Sequence, residues 1–321
     1  MKTLIYDRKK ETINFDTPKK DMVALVGNAN YIMWLDIDEP YKEDMDWLKE
    51  NFNFHPLDLE DCISLTERPK IDLYEDYHFL VMHFPVFDKI TRRLSPIQVN
   101  VFLGTNFLVT IRKSYIKSLN RTFENVSKDK ELLHKGTDYL LHKVIDDLVD
   151  YCFPILEKIR GNIQNVENMV FDGATRQTIR DILIIKRNII LFKNILDPQI
   201  RILRRIEVRD SKFIAEELEV YFGDIVDHLQ KIEDSLESYG EIIEGLQDAH
   251  QSLVSNRINE IMKILTIISI MMLPLTLISS VYGMNIMLPI SKSPFAFLII
   301  ISIMILMALG MFVYFKIKHW I

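Results

Sequence analysis

The apolar residues of the chain follow two different patterns, and the first of these has a short period. Up to about residue 130, stretches of alternating apolar and polar residues predict β-strands. These stretches are residues 31–37, 78–86, 98–103 and 107–112, the last two joined by a turn at Gly104-Thr105-Asn106. Helical segments, residues 45–51 and 55–62, lie between or beside them. The pattern predicts an α/β domain.

From residue 137 onward the apolar residues recur every three or four positions, which predicts long helices. The predicted helices are residues 138–171, residues 175–206 and a third that starts near Glu216. Gly173 marks a turn after the first, and residues 208–211 a break before the third. The third helix meets no strong breaker before Pro274, so we expect it to pass from the charged part of the chain into the apolar part.

Two uncharged apolar runs stand near the C-terminal end, at residues 264–281 and 295–315. Each is close to the ~20 residues that a helix needs to cross a ~30 Å hydrocarbon core, so both are predicted transmembrane helices. Residues 282–294 between them are rich in Pro, Ser and Gly, which favours a tight hairpin loop. A simple membrane anchor remains an alternative for such a pair.

Composition agrees with a chain divided into a water-soluble part and a lipid-soluble part. The 321 residues are 48% hydrophobic and 26% charged, but residues 264–321 hold no carboxylate and only three lysines. The first residues lack an apolar core for secretion, so we expect the body to stay in the cytosol. The predicted domains are a cytosolic α/β domain at residues 1–136, a cytosolic helical stalk at 137–263 and a transmembrane hairpin with a basic tail at 264–321.

Basic residues close to the spans predict the orientation, because they favour the cytosolic side of a membrane. Those outside the hairpin are Arg257, Lys263, Lys316, Lys318 and His319, against a single Lys292 inside it. Both termini are therefore predicted to be cytoplasmic, with the hairpin in the plasma membrane.

Several other classes of protein find no support in the sequence. Cys62 and Cys152 are far apart and lack CxxC spacing, which argues against a disulfide framework or a thiolate zinc site. A net charge of −6 with interspersed signs argues against nucleic acid as a main partner. The chain holds no GxxxxGK[ST] loop for a nucleotide.

The first predicted span carries a stripe of small, mildly polar residues at helical spacing of three and four, here called the polar stripe. Its members are Asn259, Met262, Thr266, Ser269, Leu273, Thr276, Ser280 and Gly283. Small residues at such spacing are typical of close helix packing, and a water-lined pore is the competing interpretation. Since one two-span subunit cannot enclose a pore, the pore interpretation requires a homo-oligomeric ring.

Residues 255–285 closely resemble the CorA family of magnesium transporters. The resemblance rests on Gly283-Met284-Asn285 at the end of the first span, preceded by Asn259-Glu260 and Pro274-Leu275-Thr276. It extends over most of the chain through His55-Pro56-Leu57, Leu59-Glu60-Asp61, Arg68-Pro69-Lys70 and Lys186-Arg187-Asn188.

The resemblance implies a funnel-shaped homopentamer, with an N-terminal α/β domain, a long helical stalk and two transmembrane helices. Gly283, Met284 and Asn285 would form the selectivity filter for hydrated Mg²⁺, which dehydrates reluctantly. The polar stripe would line the pore, while Met262 and Leu265 match the family's hydrophobic constriction. Co²⁺ or Ni²⁺ is a further expected cargo. The family carries out transport and no enzymatic reaction.

The same resemblance implies regulation by intracellular Mg²⁺, which makes this ion both the transported and the regulatory one. Asp61 and Asp224 match carboxylates that bridge neighbouring subunits through Mg²⁺, and Asp248 matches an acidic site nearer the membrane. Glu60 is a further candidate ligand. Oxygen donors without Cys or His suit Mg²⁺ better than Zn²⁺.

One departure from the family keeps two other functions open. Many members have an acidic loop after the filter motif, whereas residues 286–292 of this chain hold no carboxylate. Zinc or other transition-metal transport is one alternative, although zinc-transporting relatives usually alter the residue at Met284. A membrane-tethered Mg²⁺ sensor or scaffold is the other, and the polar stripe disfavours it.

Overall fold

The structure is a computed structural model that describes residues 1–64, 68–173, 176–207, 213–284, 288–289 and 293–320. The chain divides into two compact units, Met1–Gln247 and Asp248–Ile321. The finer division at residues 136 and 263 stays a prediction.

A seven-stranded sheet organises the first unit, in the order β2-β1-β3-β7-β6-β5-β4. The strands are β1 Lys2–Asp7, β2 Thr12–Phe15, β3 Tyr31–Asp38, β4 Lys70–Leu73, β5 His78–Asp88, β6 Arg93–Leu103 and β7 Phe107–Arg112. All neighbouring strands are antiparallel except β3 and β7, which run parallel. The four predicted strands are confirmed as β3, β5, β6 and β7, whereas β1, β2 and β4 were not predicted.

The helices that follow or interrupt the sheet range from five to 64 residues. They are α1 Lys19–Val23, α2 Lys42–Phe52, α3 Pro56–Ile63, α4 Lys117–Val126, α5 Lys130–Lys135, α6 Thr137–Asp150, α7 Cys152–Gly173, α8 Arg176–Glu207, α9 Glu219–Tyr282 and α10 Ala296–Ile317. A 3₁₀ turn, Glu216–Leu218, leads into α9. The predicted start of the third long helix near Glu216 is therefore confirmed.

The predicted single helix over residues 138–171 is wrong, because the structure divides it into α6 and α7 at Tyr151. Pro154 supplies the physical reason. It has no backbone N–H to donate to the carbonyl of Asp150, four residues earlier, so the helical hydrogen-bond ladder cannot continue unbroken here.

The sheet is covered by helices on both faces, and the alternation of side chains along β3 separates the two layers. Met33, Leu35 and Ile37 belong to the core cluster shared with α2 and α3. On the opposite face, Trp34 packs against Phe123 of α4, with ring centroids 4.8 Å apart.

A buried ion pair lies on this second face of the sheet, beneath α4. Arg112 and Asp36 are at most 1% exposed and hydrogen-bonded to each other. The Thr110 hydroxyl donates to the same Asp36 carboxylate at 2.7 Å, and Arg112 donates to Asn120 of α4 at 3.3 Å. Because a buried charge needs a partner, this pair fixes α4 on the sheet.

We expect Asp36→Ala to lower the free energy of unfolding by about 3–5 kcal/mol, because it leaves the Arg112 guanidinium buried without its counter-charge. Denaturant unfolding in detergent, followed by tryptophan fluorescence, measures the change. The control is Arg201→Ala, which removes the exposed Arg201–Asp197 pair at 3.0 Å and should cost less than about 1 kcal/mol. Equal losses in the two variants would contradict a structural role for the buried pair.

Among the described residues, two helices are long and apolar enough to cross a membrane. One ends at Tyr282 and has a most apolar stretch of mean hydropathy 2.2, and the other is α10, at 2.9. The predicted spans at residues 264–281 and 295–315 fall on α9 and α10. Phe295 is the N-cap of α10.

Candidate functional site

The polar stripe lies within the exposed surface of α9 in the second unit. The covered face of α9 in the second unit is marked by Ile267, which is 5% exposed, and by half-buried residues at 271, 274, 275 and 278. The other described helix of this unit is α10. At 100° per residue the stripe lies on the opposite side of α9 from this covered face. The stripe is thus available to another copy of the chain or to water.

Three of the four hydroxyl groups of the polar stripe are hydrogen-bonded in the same way. Thr266, Ser269 and Thr276 each donate to the backbone carbonyl four residues earlier, at 2.8, 2.9 and 2.8 Å. This bond uses the one hydrogen of each hydroxyl, while its oxygen keeps acceptor capacity. The stripe therefore presents hydrogen-bond acceptors, which suit the outward-pointing hydrogens of water around a cation.

Three apolar side chains interrupt this polar surface. Met262, Leu265 and Leu273 are 54%, 56% and 70% exposed. Asn259, the first member of the stripe, is exposed as well. Exposed apolar residues on a face that otherwise carries hydroxyls are consistent with the predicted constriction at Met262 and Leu265, which itself stays a prediction.

The predicted filter is described only in part. The N–H of Gly283 donates to the Ser279 carbonyl at 2.9 Å, and a Cβ at Gly283 would lie 3.1 Å from that oxygen, so glycine suits this close approach. Met284 follows, 53% exposed. Asn285, the predicted selecting residue, lies outside the described residues.

Asp61, predicted to hold a regulatory ion, pairs with a lysine of its own chain. Asp61 lies on α3, and its carboxylate is 2.7 Å from the ammonium of Lys70 on β4. The same ammonium lies 2.6 Å from Asp72. Burial alone would lower the pKa of Lys70, but the hydrogen bonds to the two carboxylates outweigh it and raise that pKa. Lys70 is thus firmly cationic.

A third carboxylate, that of the buried Asp58, lies near the same Lys70 ammonium. Its oxygen is 3.9 Å from the Lys70 ammonium, and its side chain is 1% exposed. The hydroxyls of Tyr77 and Tyr74 donate to it at 2.9 and 3.2 Å. Burial raises the pKa of Asp58, and the two hydroxyl donors oppose that rise. We call Asp58, Asp61, Asp72 and Lys70 the Lys70 cluster.

Asp224 lies beside a second group of ionisable side chains. It is 68% exposed, and its carboxylate is 3.8 Å from Nε2 of His228 on the next turn of α9. His228 converges with Asp146 and Asp150 of α6, with one ligand atom of each within 4.8 Å of the others. Two carboxylates and an imidazole at this spacing could hold a divalent cation.

The electrostatics of this second group also favour a cation. Burial raises the pKa of Asp150, and the neighbouring charge of Asp146 raises it further, while His228 opposes the rise. A divalent ion would remove this repulsion. Nδ1 of His228 is buried and has no hydrogen-bond partner among the residues that the structure describes.

The sequence did not single out Asp146, Asp150 or His228. The only available signal was the spacing of four residues between Asp146 and Asp150 and between Asp224 and His228, which is common on solvated helices. The predicted ligands were all oxygen donors, and His228 lies beside one of them, Asp224.

The predicted ligands have different surroundings in the described residues. Asp61 and Asp224 have separate partners, Lys70 and His228. Glu60 is exposed and lines a groove between α2 and α3. Asp248 is exposed on α9.

Fold and site together define a membrane protein with two spans and a large α/β and helical unit. The sequence model of the family described as "CorA-like Mg²⁺ transporter protein" matches residues 29–317. The chain belongs to this family of transporters.

Named relatives extend over nearly the whole chain. The cobalt/magnesium transport protein CorA of Thermotoga maritima is 31% identical over 315 residues, which cover 97% of this chain and 90% of that protein. The protein of the same name from Methanocaldococcus jannaschii is 23% identical over 308 residues, which cover 95% of each.

Solved structures agree on the fold. The complete structure of the CorA magnesium transporter from Methanocaldococcus jannaschii has a TM-score of 0.87 at 21% identity, covering 99% of this chain and 98% of that one. The full-length CmaX protein has a TM-score of 0.81 at 17% identity, covering 100% and 98%.

If the polar stripe faces water, we expect a charged thiol reagent to label Ser269→Cys but not Ile268→Cys in membrane vesicles. Ile268 is the matched control because it lies at the same depth, is 53% exposed in the chain and points to the side of the stripe. The native Cys62 and Cys152 are at most 1% exposed, and burial raises the pKa of both thiols, so they should stay unlabelled. Equal labelling at 268 and 269 would contradict a water-lined stripe.

Proposed function

We propose that this protein conducts Mg²⁺ through the plasma membrane, as a homopentamer whose pore is lined by the polar stripe of α9. The observation that carries the proposal is the position of the stripe, on the face of α9 opposite the covered one. One such helix cannot surround an ion, so the stripe needs equivalent helices from other copies, related by rotational symmetry.

The chemistry of the stripe suits an ion that keeps its water. Mg²⁺ dehydrates reluctantly, so a pore for it should contact the hydration shell. The oxygens of Thr266, Ser269 and Thr276 are acceptors for that shell, since their hydrogens are already donated to the backbone. At the mouth, a ring of Asn285 amides would select by hydrogen bonds to the same shell.

The direction of transport follows from the membrane potential. With both termini in the cytoplasm, the filter end of α9 faces outward. A divalent cation gains about 4.6 kcal/mol per 100 mV on moving inward, twice the ~2.3 kcal/mol of a single charge. Influx then needs no other energy source.

We expect Asn285→Ala to reduce Mg²⁺ influx by about tenfold or more, since each subunit of the ring loses a hydrogen-bonding group at the mouth. Purified protein in liposomes loaded with a Mg²⁺-sensitive dye measures the rate. The matched control is Asn194→Ala, which removes an exposed amide from α8.

Absence of influx with the unaltered protein would contradict the channel and favour the sensor or scaffold. Influx that Asn285→Ala leaves unchanged would contradict the filter. Uptake of Zn²⁺ without uptake of Mg²⁺ under the same gradient would favour the transition-metal alternative.

Regulation by intracellular Mg²⁺ is the second part of the proposal. Asp61 of one subunit and Asp224 of the next would hold an ion that favours the closed ring, since a ligand stabilises the state that binds it more tightly. Asp146, Asp150 and His228 enlarge the binding surface beside Asp224. Asp248 and Glu60 are further candidate ligands.

His228 also bears on the choice of ion. Imidazole nitrogen suits Co²⁺ and Ni²⁺ better than Mg²⁺, which prefers oxygen. Its place beside Asp224, at 3.8 Å, makes Co²⁺ or Ni²⁺ a candidate second regulatory ion.

We expect Asp224→Lys to raise the intracellular Mg²⁺ concentration that half-inhibits transport by about tenfold, because a fixed positive charge replaces a ligand. Patch recordings with varied internal Mg²⁺ measure this concentration. The control is Asp197→Lys, which makes the same change at a 53% exposed carboxylate on α8. Unaltered inhibition in Asp224→Lys would contradict the regulatory site.

A further inference from the structure

We infer that Lys70 is a built-in competing cation at the regulatory site, and that a divalent ion must displace its ammonium from Asp61 in order to bind there. The inference rests on the proposed regulation through Asp61 and adds a residue that sets the concentration at which the ion acts.

The geometry of the Lys70 cluster carries the inference. The Lys70 ammonium lies 2.7 Å from Asp61 and 2.6 Å from Asp72, so two of its three N–H groups have carboxylate partners. The same ammonium nitrogen lies 5.2 Å from the centre of the Phe79 ring. These contacts put a positive charge at the carboxylate oxygens that an ion would use.

The backbone holds this arrangement in place. Lys70 and Asp72 lie two residues apart on β4, so both point to the same side of the strand. β4 pairs with β5, with Lys70 opposite Val81. Asp61 is fixed on α3, and its carbonyl accepts a 2.8 Å hydrogen bond from Gln98 on β6. The pairing is therefore formed by two anchored elements rather than by a mobile loop.

The charges do not balance, which leaves room for another cation. Asp58, Asp61 and Asp72 together carry up to three negative charges against the single charge of Lys70. Asp61 is 25% and Asp72 38% exposed, so an ion can approach from solvent. A divalent cation would bring twice the charge of the ammonium to the same oxygens. Because the two positive charges repel, the ion and the ammonium cannot occupy these oxygens together.

This competition would set the working range of the regulation. While the ion is scarce, Lys70 occupies Asp61 and keeps it from bridging to a neighbouring subunit. When the ion is abundant, it replaces the ammonium and the bridge can form. The tethered lysine therefore lowers the affinity for the ion without removing a ligand.

We expect Lys70→Gln and Lys70→Met to lower the half-inhibiting Mg²⁺ concentration by about tenfold, because the competing charge is gone. Lys70→Arg keeps the charge and should stay close to the unaltered protein. The matched control is Lys19→Gln, which breaks the 2.9 Å Lys19–Asp44 pair in the same unit, away from the Lys70 cluster. A half-inhibiting concentration that is unchanged or raised in the neutral variants would overturn the inference.

A measurement on the unaltered protein keeps the test independent of how the variants fold. Acetic anhydride labels free amines, and mass spectrometry reports the label at each lysine. We expect labelling of Lys70 to rise as Mg²⁺ is added over the inhibiting range, while labelling of Lys19 stays constant. Labelling of Lys70 that stays constant or falls across that range would overturn the inference.

The outcomes separate this inference from the proposal it rests on. If the unaltered protein transports Mg²⁺ but internal Mg²⁺ never inhibits it, the regulatory proposal fails and this inference with it. If inhibition is present and sensitive to Asp224→Lys, but insensitive to neutral residues at position 70, only the role of Lys70 fails.

Discussion

A backbone that enters lipid must satisfy its hydrogen bonds within its own helix, and the second unit is arranged around this constraint. The structure meets it with α9 and α10, both of which extend through a predicted span. Pro274 is the local exception, since it cannot donate to the carbonyl of Ile270. Three hydroxyls of the polar stripe, those of Thr266, Ser269 and Thr276, follow the same constraint, because they give their hydrogens to helix carbonyls and keep only acceptor capacity on the exposed side.

The parts of the fold that the sequence predicted are those with long or regular periodicity. The two spans, the start of α9 and the four strands of the sheet centre agree with the structure. β2 and β4 escaped prediction because four residues are too few to show an alternation, and β1 because its residues 4–6 are apolar without alternation. All three gain stability from partners elsewhere in the chain. β1, for example, pairs with β3, about thirty residues away. The division between α6 and α7 depends on a single proline, Pro154, within an otherwise helical pattern.

The residues of the candidate site were likewise predicted only in part. The polar stripe and the residues Gly283-Met284-Asn285 lie close together in sequence and were visible as a pattern, whereas the ionic neighbours of Asp61 and Asp224 were not. Lys70 meets Asp61 because β4 adds to the edge of the sheet beside α3. His228 meets Asp146 and Asp150 because α6 packs near α9. Sequence spacing identifies a ligand on one element, but the second element that completes a site comes from tertiary packing.

The exposed carboxylates of α9 follow the same spacing of three and four residues as the polar stripe. The spacing of three and four that places Asn259 on the stripe continues backward through exposed positions 248, 245, 241, 238, 234, 231, 227 and 224. A repeat of 3.5 residues drifts by about 20° per heptad on a straight helix, so the proposed ring needs a left-handed supercoil to keep one face inward. Along that register the carboxylates, which include Asp224, Asp234 and Asp248, stop before the apolar run begins. Charges are costly within a bilayer, whereas hydroxyls and amides are tolerated there. In the proposed ring, the same face would therefore attract cations with carboxylates in water and contact them with neutral oxygens in lipid.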